Sequence, residues 1–158
     1  VVLDLACGVG YGSWIMQRAG LKVIGMDIST EAIKYARQHY PGPTYAVARA
    51  EDIGDVEVDA LVSFETIEHL VDPLPVLRAV RAKKLVASVP NQERYPFNAA
   101  KFEKDEYPHQ RHYTPKEFAA LVADAGYEPR ATWCQKDKHG EIDIGPDGMF
   151  IIMVADAS

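Results

Sequence analysis

The sequence predicts an α/β fold, a doubly wound sheet of mostly parallel strands with helices on both faces. Two observations carry the prediction. Apolar runs of strand length alternate with longer stretches in which apolar residues recur at helical spacing, the pattern of repeated β–α units. Acidic residues and glycines gather just after those apolar runs, and open sheets of this kind bind ligands at the carboxyl ends of their strands. The 158 residues form one domain over 1–158, large enough to bury roughly 70% of the unfolded chain's surface.

Residues 1–5 read as a strand buried on both faces, followed by a glycine-rich turn and a helix from 11–13 to 19 that Gly20 closes. A second strand, 22–26, ends at Asp27, and Ser29 is placed to cap a helix reaching about Tyr40, where Pro41-Gly42-Pro43 stops it. The third strand is 44–48, with Ala50-Glu51-Asp52-Ile53 after it. The fourth is 58–64, leading into Glu65-Thr66-Ile67-Glu68-His69. Pro73 suits the first turn of a helix ending near Arg81, and a fifth strand at 84–89 ends in Pro90-Asn91. Residues 91–113 form a long connection with Tyr95, Phe97, Phe102, Tyr107 and Tyr113, read as a lid, a binding loop or a disordered segment. Thr114 and Glu117 make a capping box for a helix that Gly126 closes. Strands at 130–135 and 149–155, joined by the polar stretch 136–148, finish the chain.

Composition narrows the function. A net charge of −6 and the absence of a basic stripe argue against a nucleic-acid partner. No apolar run approaches the roughly 20 residues of a membrane span. Cys7 and Cys134 alone make no disulfide framework, so a reducing, cytoplasmic setting is expected.

The glycine turn points to a nucleotide-type cofactor. Gly8 and Gly10 allow close approach of the backbone to a ligand, and Asp4 is placed to receive a cationic or N–H-rich group. The spacing does not fit a dinucleotide fingerprint, since Ser13 stands where G-x-G-x-x-G needs its third glycine. A phosphate loop would need Gly-Lys-Ser/Thr, which is absent.

The run Asp4-Leu5-Ala6-Cys7-Gly8-Val9-Gly10 resembles motif I of the class I S-adenosylmethionine-dependent methyltransferases, with Ala6 in place of the first glycine. The resemblance implies a Rossmann-like, seven-stranded sheet with an antiparallel final strand. It also implies a start lacking the helices that normally precede the first strand, since Val1 falls directly inside that strand. The family usually has a Lys-Pro-Gly-Gly turn before the fifth strand; here the connection is unusually tight, or residues are missing near 82–84. For the cofactor, the resemblance places Asp4, Ala6, Gly8 and Gly10 in the loop, Asp27 on the ribose hydroxyls and Ile28 on the adenine. Asp52 receives the adenine amino group beside the backbone of Ile53, and Phe64 completes the set.

The sulfonium methyl is already activated, so transfer needs positioning and a deprotonated nucleophile. Ser63-Phe64-Glu65-Thr66 lacks the Asn/Asp-Pro-Pro-aromatic tetrapeptide of amino-group methyltransferases. Glu65, Glu68 and His69 stand at i, i+3 and i+4, one face of a helical turn, a half-shell for Mg²⁺, Mn²⁺, Fe²⁺ or Zn²⁺. The E-x-x-E-H run is similar to that of the ubiquinone-pathway O-methyltransferases and of the small-RNA 2′-O-methyltransferases. In the RNA group it supplies metal ligands completed by a later histidine, the position of His109, five residues before Thr114.

Three readings of this cluster stand side by side. One is a metal on Glu65, Glu68, His69 and His109. Another is metal-free catalysis with His109 as base, assisted by His69 and Glu65. In the third the acids merely suit a helix start and His109 lies on the surface. His112 can replace His109 in either active role, while His39 and His139 are expected to face solvent. The function expected is methyl transfer to a hydroxyl of a small molecule. RNA-terminal 2′-O-methylation and a non-catalytic cofactor-binding protein are the alternatives.

Overall fold

A computed structural model describes residues 1–137 and 139–158. Its centre is one sheet of eight strands: β1 Val2–Leu5, β2 Val23–Asp27, β3 Thr44–Val47, β4 Val56–Phe64, β5 Val80–Pro90, β6 Tyr127–Gln135, β7 Ile142–Ile144 and β8 Phe150–Ala157. They lie in the order β3-β2-β1-β4-β5-β8-β6-β7. The first five pair in parallel, and β8 inserts antiparallel between β5 and β6. The fold class and the antiparallel final strand are as the sequence predicts, with one strand more than seven. The addition, β7, is a three-residue edge strand within the stretch read as a loop, and all of its residues are exposed. An edge of that length carries too little periodic signal to be seen in sequence.

The helices that position the site are α1 Tyr11–Arg18, α2 Thr30–His39, α3 Pro73–Ala79, α4 Ala99–Phe102 and α5 Pro115–Asp124. Alternation along β1 divides the core. Leu3 and Leu5 pack with Leu77 of α3 and with Phe118 and Val122 of α5, while Val2 packs with Val23, Val62 and Met16 of α1 on the opposite face. Capping follows the sequence closely. Ser29 accepts from the Ala32 N–H, and Thr114 and Glu117 form both halves of their capping box.

Two connections differ from expectation. No loop separates α3 from β5: Val80 ends the helix and begins a strand of 11 residues. The 91–113 segment contains α4 and is stitched down. Fully buried Asn91 donates its side-chain amide to the carbonyls of Pro146 and Gly148 and accepts from the Glu93 N–H. Tyr113 N–H returns to the Pro90 carbonyl, so the segment leaves and re-enters the sheet at one point. Among the described residues no helix is long and apolar enough to cross a membrane, and Cys7 and Cys134 are free thiols.

Candidate active site

The strand order reverses around β1, and there the carboxyl ends of β1, β2 and β3 open into a cleft of about 820 Å³. Its inner wall is the turn after β1. Ala6 sits at φ 60° in the left-handed region, a conformation costing a residue with a Cβ about 1 kcal/mol. Gly8, at φ 54°, faces open space. Asp27 ends β2 with both carboxylate oxygens held, one by the Gly8 N–H and the other by the Ser29 N–H, each at 2.8 Å. Each oxygen keeps a lone pair for a ligand hydroxyl. Ile28 lines the same cleft.

Five residues assigned to the cofactor lie elsewhere. Asp4 shares a strand face with Val2, so its carboxylate points beneath α1, where it is buried and accepts from Ser13 Oγ. Burial pushes this carboxyl up, against the Ser13 bond. Gly10 supports the loop from behind: a Cβ there would stand 2.6 Å from Ala36 Cβ and 2.8 Å from Tyr45 Oη, at a φ of 85°. Asp52 is exposed on a single 3₁₀ turn, Ala50–Asp52, and it is Glu51 that lines the cleft; 3₁₀ geometry rotates successive side chains by about 120°. Ile53 lines a neighbouring groove with Val71 and Val76. Phe64 turns into a second cavity.

The packing around Gly10 makes a direct prediction. Gly10→Ala combines overpacking with left-handed strain and should cost roughly 3 kcal/mol of stability in urea denaturation. A loss below about 1 kcal/mol would mean that the turn relaxes freely.

The second cavity, about 530 Å³, lies at the ends of β4, β5 and β8 and has apolar walls from Phe64, Tyr95, Phe102 and Ile152. Glu65 and His69 line both cavities, so they mark where the two meet. The expected helical face is absent. Only Ile67–His69 forms a turn, of 3₁₀ type, and Glu65 precedes it with φ at 49°. The Glu65 carboxylate therefore swings to Ser88, whose hydroxyl donates to it at 2.7 Å.

The residues that converge are Glu68, His69 and His109, with one ligand atom of each within 4.8 Å of the others; Glu65 is not among them. Glu68 is 0% exposed, and neither of its oxygens has a hydrogen-bond partner. Burial and then the neighbouring Glu65 push its carboxyl up to about 9, and burial raises Glu65 to about 7 against the Ser88 bond.

The imidazoles are oriented by their second nitrogens. His69 Nδ1 lies 2.8 Å from the Tyr107 carbonyl, which can only accept, so this nitrogen carries a proton and Nε2 is the one turned to the cluster. That Nε2 faces Glu68 Oε1 at 3.9 Å. His109 Nδ1 lies 2.9 Å from His112 Nε2, and His112 Nδ1 lies 2.6 Å from the Tyr95 carbonyl. Both nitrogens of His112 are thus engaged, so it cannot take His109's place as ligand or base. Burial, then His69 and His112, pull His109 down to about 4, which leaves its ring neutral near pH 7.

The sequence reading missed Glu51, the orienting carbonyls of Tyr95 and Tyr107, and the span 104–108 that lines the cleft at the ends of β1, β2 and β3. Backbone acceptors have no residue-type signal. The span 104–108 was legible only as part of a long aromatic loop.

The model of a family described as a methyltransferase domain matches residues 3–83. A probable S-adenosylmethionine-dependent methyltransferase of Mycobacterium tuberculosis is 30% identical over 133 residues, 80% of this chain and 48% of the relative. A ubiquinone biosynthesis O-methyltransferase of Xanthomonas campestris is 36% identical over 85 residues, 49% of this chain and 36% of the relative. The chain therefore spans about half the length of the first relative and less of the second. An S-adenosylmethionine-dependent methyltransferase from Mesorhizobium loti superposes with a TM-score of 0.79 at 17% identity, covering 98% of this chain and 89% of that one. The family model covers just over half of the chain, and the chain belongs to the class I S-adenosylmethionine-dependent methyltransferases.

Proposed function

We propose that this domain transfers the methyl group of S-adenosylmethionine to a hydroxyl of a small molecule, with a divalent cation held by Glu68, His69 and His109. The observation that carries the reading is a fully buried carboxylate without a hydrogen bond, facing two imidazoles at the boundary between the two cavities. A buried carboxyl left alone stays protonated and unpartnered at a cost on the order of 1–3 kcal/mol, and a cation would hold it as the carboxylate. Each histidine has its other ring nitrogen engaged, His69 by a carbonyl and His109 by His112, as metal-ligating histidines do. Two imidazoles and one carboxylate suit Zn²⁺, Mn²⁺ or Fe²⁺ better than Mg²⁺, which favours oxygen ligands. Such an ion would lower the pKa of an acceptor hydroxyl and so supply the nucleophile near neutral pH.

The protein's own groups do the rest. Asp27 and the Gly8 turn hold the cofactor, and His69 and Glu65 stand where the methyl group would cross. The Phe64, Tyr95 and Phe102 walls favour a planar or apolar acceptor. The ubiquinone-pathway relative supports an oxygen acceptor, and the net charge of −6 speaks against RNA. A second reading rests on the bare His109 Nε2, which could accept the hydroxyl proton without a metal.

An acceptor screen with phenols and alcohols, run with and without divalent metals, separates these readings. The metal reading expects turnover to fall at least ~100-fold after chelation and to return on adding Zn²⁺ or Mn²⁺. Full activity in chelator, lost in His109→Asn, would instead favour the base. Turnover of no hydroxyl under either condition, with intact S-adenosylhomocysteine binding, would overturn both.

A further inference from the structure

We propose that His112 is a positioning residue that locks His109 in its Nδ1–H tautomer and aims the bare Nε2 at Glu68 and His69. The inference rests on reading Glu68, His69 and His109 as the working cluster, and it assigns a role to a buried imidazole that this cluster does not itself use.

The hydrogen-bond chain is determined from one end. The Tyr95 carbonyl has no proton to give, so the 2.6 Å contact requires the proton on His112 Nδ1. In a neutral ring that leaves His112 Nε2 as an acceptor. The 2.9 Å contact to His109 Nδ1 can then form only if His109 carries its proton on Nδ1. His109 Nε2 follows as the lone-pair nitrogen. Reversing either ring would set two lone pairs, or two N–H groups, against each other in a buried site.

The orientation is held as firmly as the tautomer. Phe102 stacks face to face on His109, with centroids 3.9 Å apart at 7°, and Phe97 meets His112 edge-on at 5.4 Å. His112 is also tied to the point where the long connection leaves the sheet. Its acceptor, Tyr95, donates its own N–H to the carbonyl of the fully buried Asn91. The aim of His109 is therefore referred to the end of β5 rather than to a free loop.

Long-range ¹H–¹⁵N correlation on the metal-free protein near neutral pH reads the tautomer directly, with His109 assigned by its loss in His109→Asn. The expected result is a pyrrole-type Nδ1 and a pyridine-type Nε2. His112→Phe keeps the aromatic packing and removes the acceptor. It should scramble the His109 signature and weaken Zn²⁺ binding, measured by chelator competition, by 10- to 100-fold or about 1.4–2.7 kcal/mol, with S-adenosylhomocysteine binding unchanged. His112→Gln, whose amide can donate to Tyr95 and accept from His109, should retain the tautomer and bind Zn²⁺ within a few-fold of the parent.

A His109 proton on Nε2 in the parent protein, or an unchanged signature in His112→Phe, overturns the proposal. If His112→Phe does not fold, the parent spectrum and His112→Gln still decide. A parent that binds no Zn²⁺ but shows the Nδ1–H signature would remove the metal and leave the positioning role. A parent that binds Zn²⁺ with His109 protonated on Nε2 beforehand would do the reverse.

Discussion

Glu68→Leu should leave the metal-free domain at least as stable as the parent and abolish metal binding and turnover. The side chain is fully buried and neither oxygen has a partner, so the substitution breaks no hydrogen bond. It also removes a polar group whose burial costs on the order of 1–3 kcal/mol. A residue kept at a cost in stability is the signature of a functional site. The pH dependence provides an independent check.

The Glu68 carboxyl is raised from 4.5 to about 9 in the folded protein, so between those values the native state holds a proton that the unfolded chain has released. Its stabilising contribution is full below the unfolded value and is lost as pH rises toward 9. The slope is at most about 1.4 kcal/mol per pH unit. Glu65 adds a similar loss that ends near 7. His109, lowered from 6.5 to about 4, adds stability as pH rises to about 6.5 and offsets the lower part of this loss. Urea midpoints of the metal-free parent should therefore fall mainly between about pH 7 and 8.5, and Glu68→Leu should flatten that decline. A Glu68→Leu protein destabilised by several kcal/mol would make Glu68 a structural residue and remove the basis for the cation.

Asp27→Ala should weaken S-adenosylhomocysteine binding by at least ~100-fold in titration calorimetry, the loss of two charge-assisted hydrogen bonds. The two backbone N–H groups on Asp27 set its orientation, so the mutation also frees the Gly8 N–H. Asp27→Asn keeps one acceptor oxygen and should fall between, near 10-fold. Binding of Asp27→Ala within a few-fold of the parent would mean that the cofactor lies elsewhere.

These outcomes depend on contacts that the sequence shows unequally. Ser29, Thr114 and Glu117 act on backbone groups within a few residues, and their roles were readable because capping is local. The place of Asp27 on the cleft wall was readable for a related reason: the end of a parallel strand at the switch point opens toward the cleft. Asp52 and Phe64 also follow strands, yet the cleft takes Glu51 and the neighbouring cavity takes Phe64. A shift of one residue turns a side chain by about 120° on a 3₁₀ turn and to the opposite face on a strand, and element boundaries read from sequence are less sharp than that.

The sequence by itself determined the layered α/β fold, the methyltransferase loop and the set of residues from which a site could be assembled, all matters of period, capping and motif spacing. Only the tertiary structure decided which of them meet. The left-handed turn at Glu65 sends that carboxylate to Ser88, and the closure of 91–113 onto β5 brings His109 to Glu68 and His69. His112 is excluded as a ligand because both its nitrogens are bonded. Contacts across some 40 residues of chain depend on how a long connection returns to the sheet, and that is governed by packing and burial rather than by local pattern.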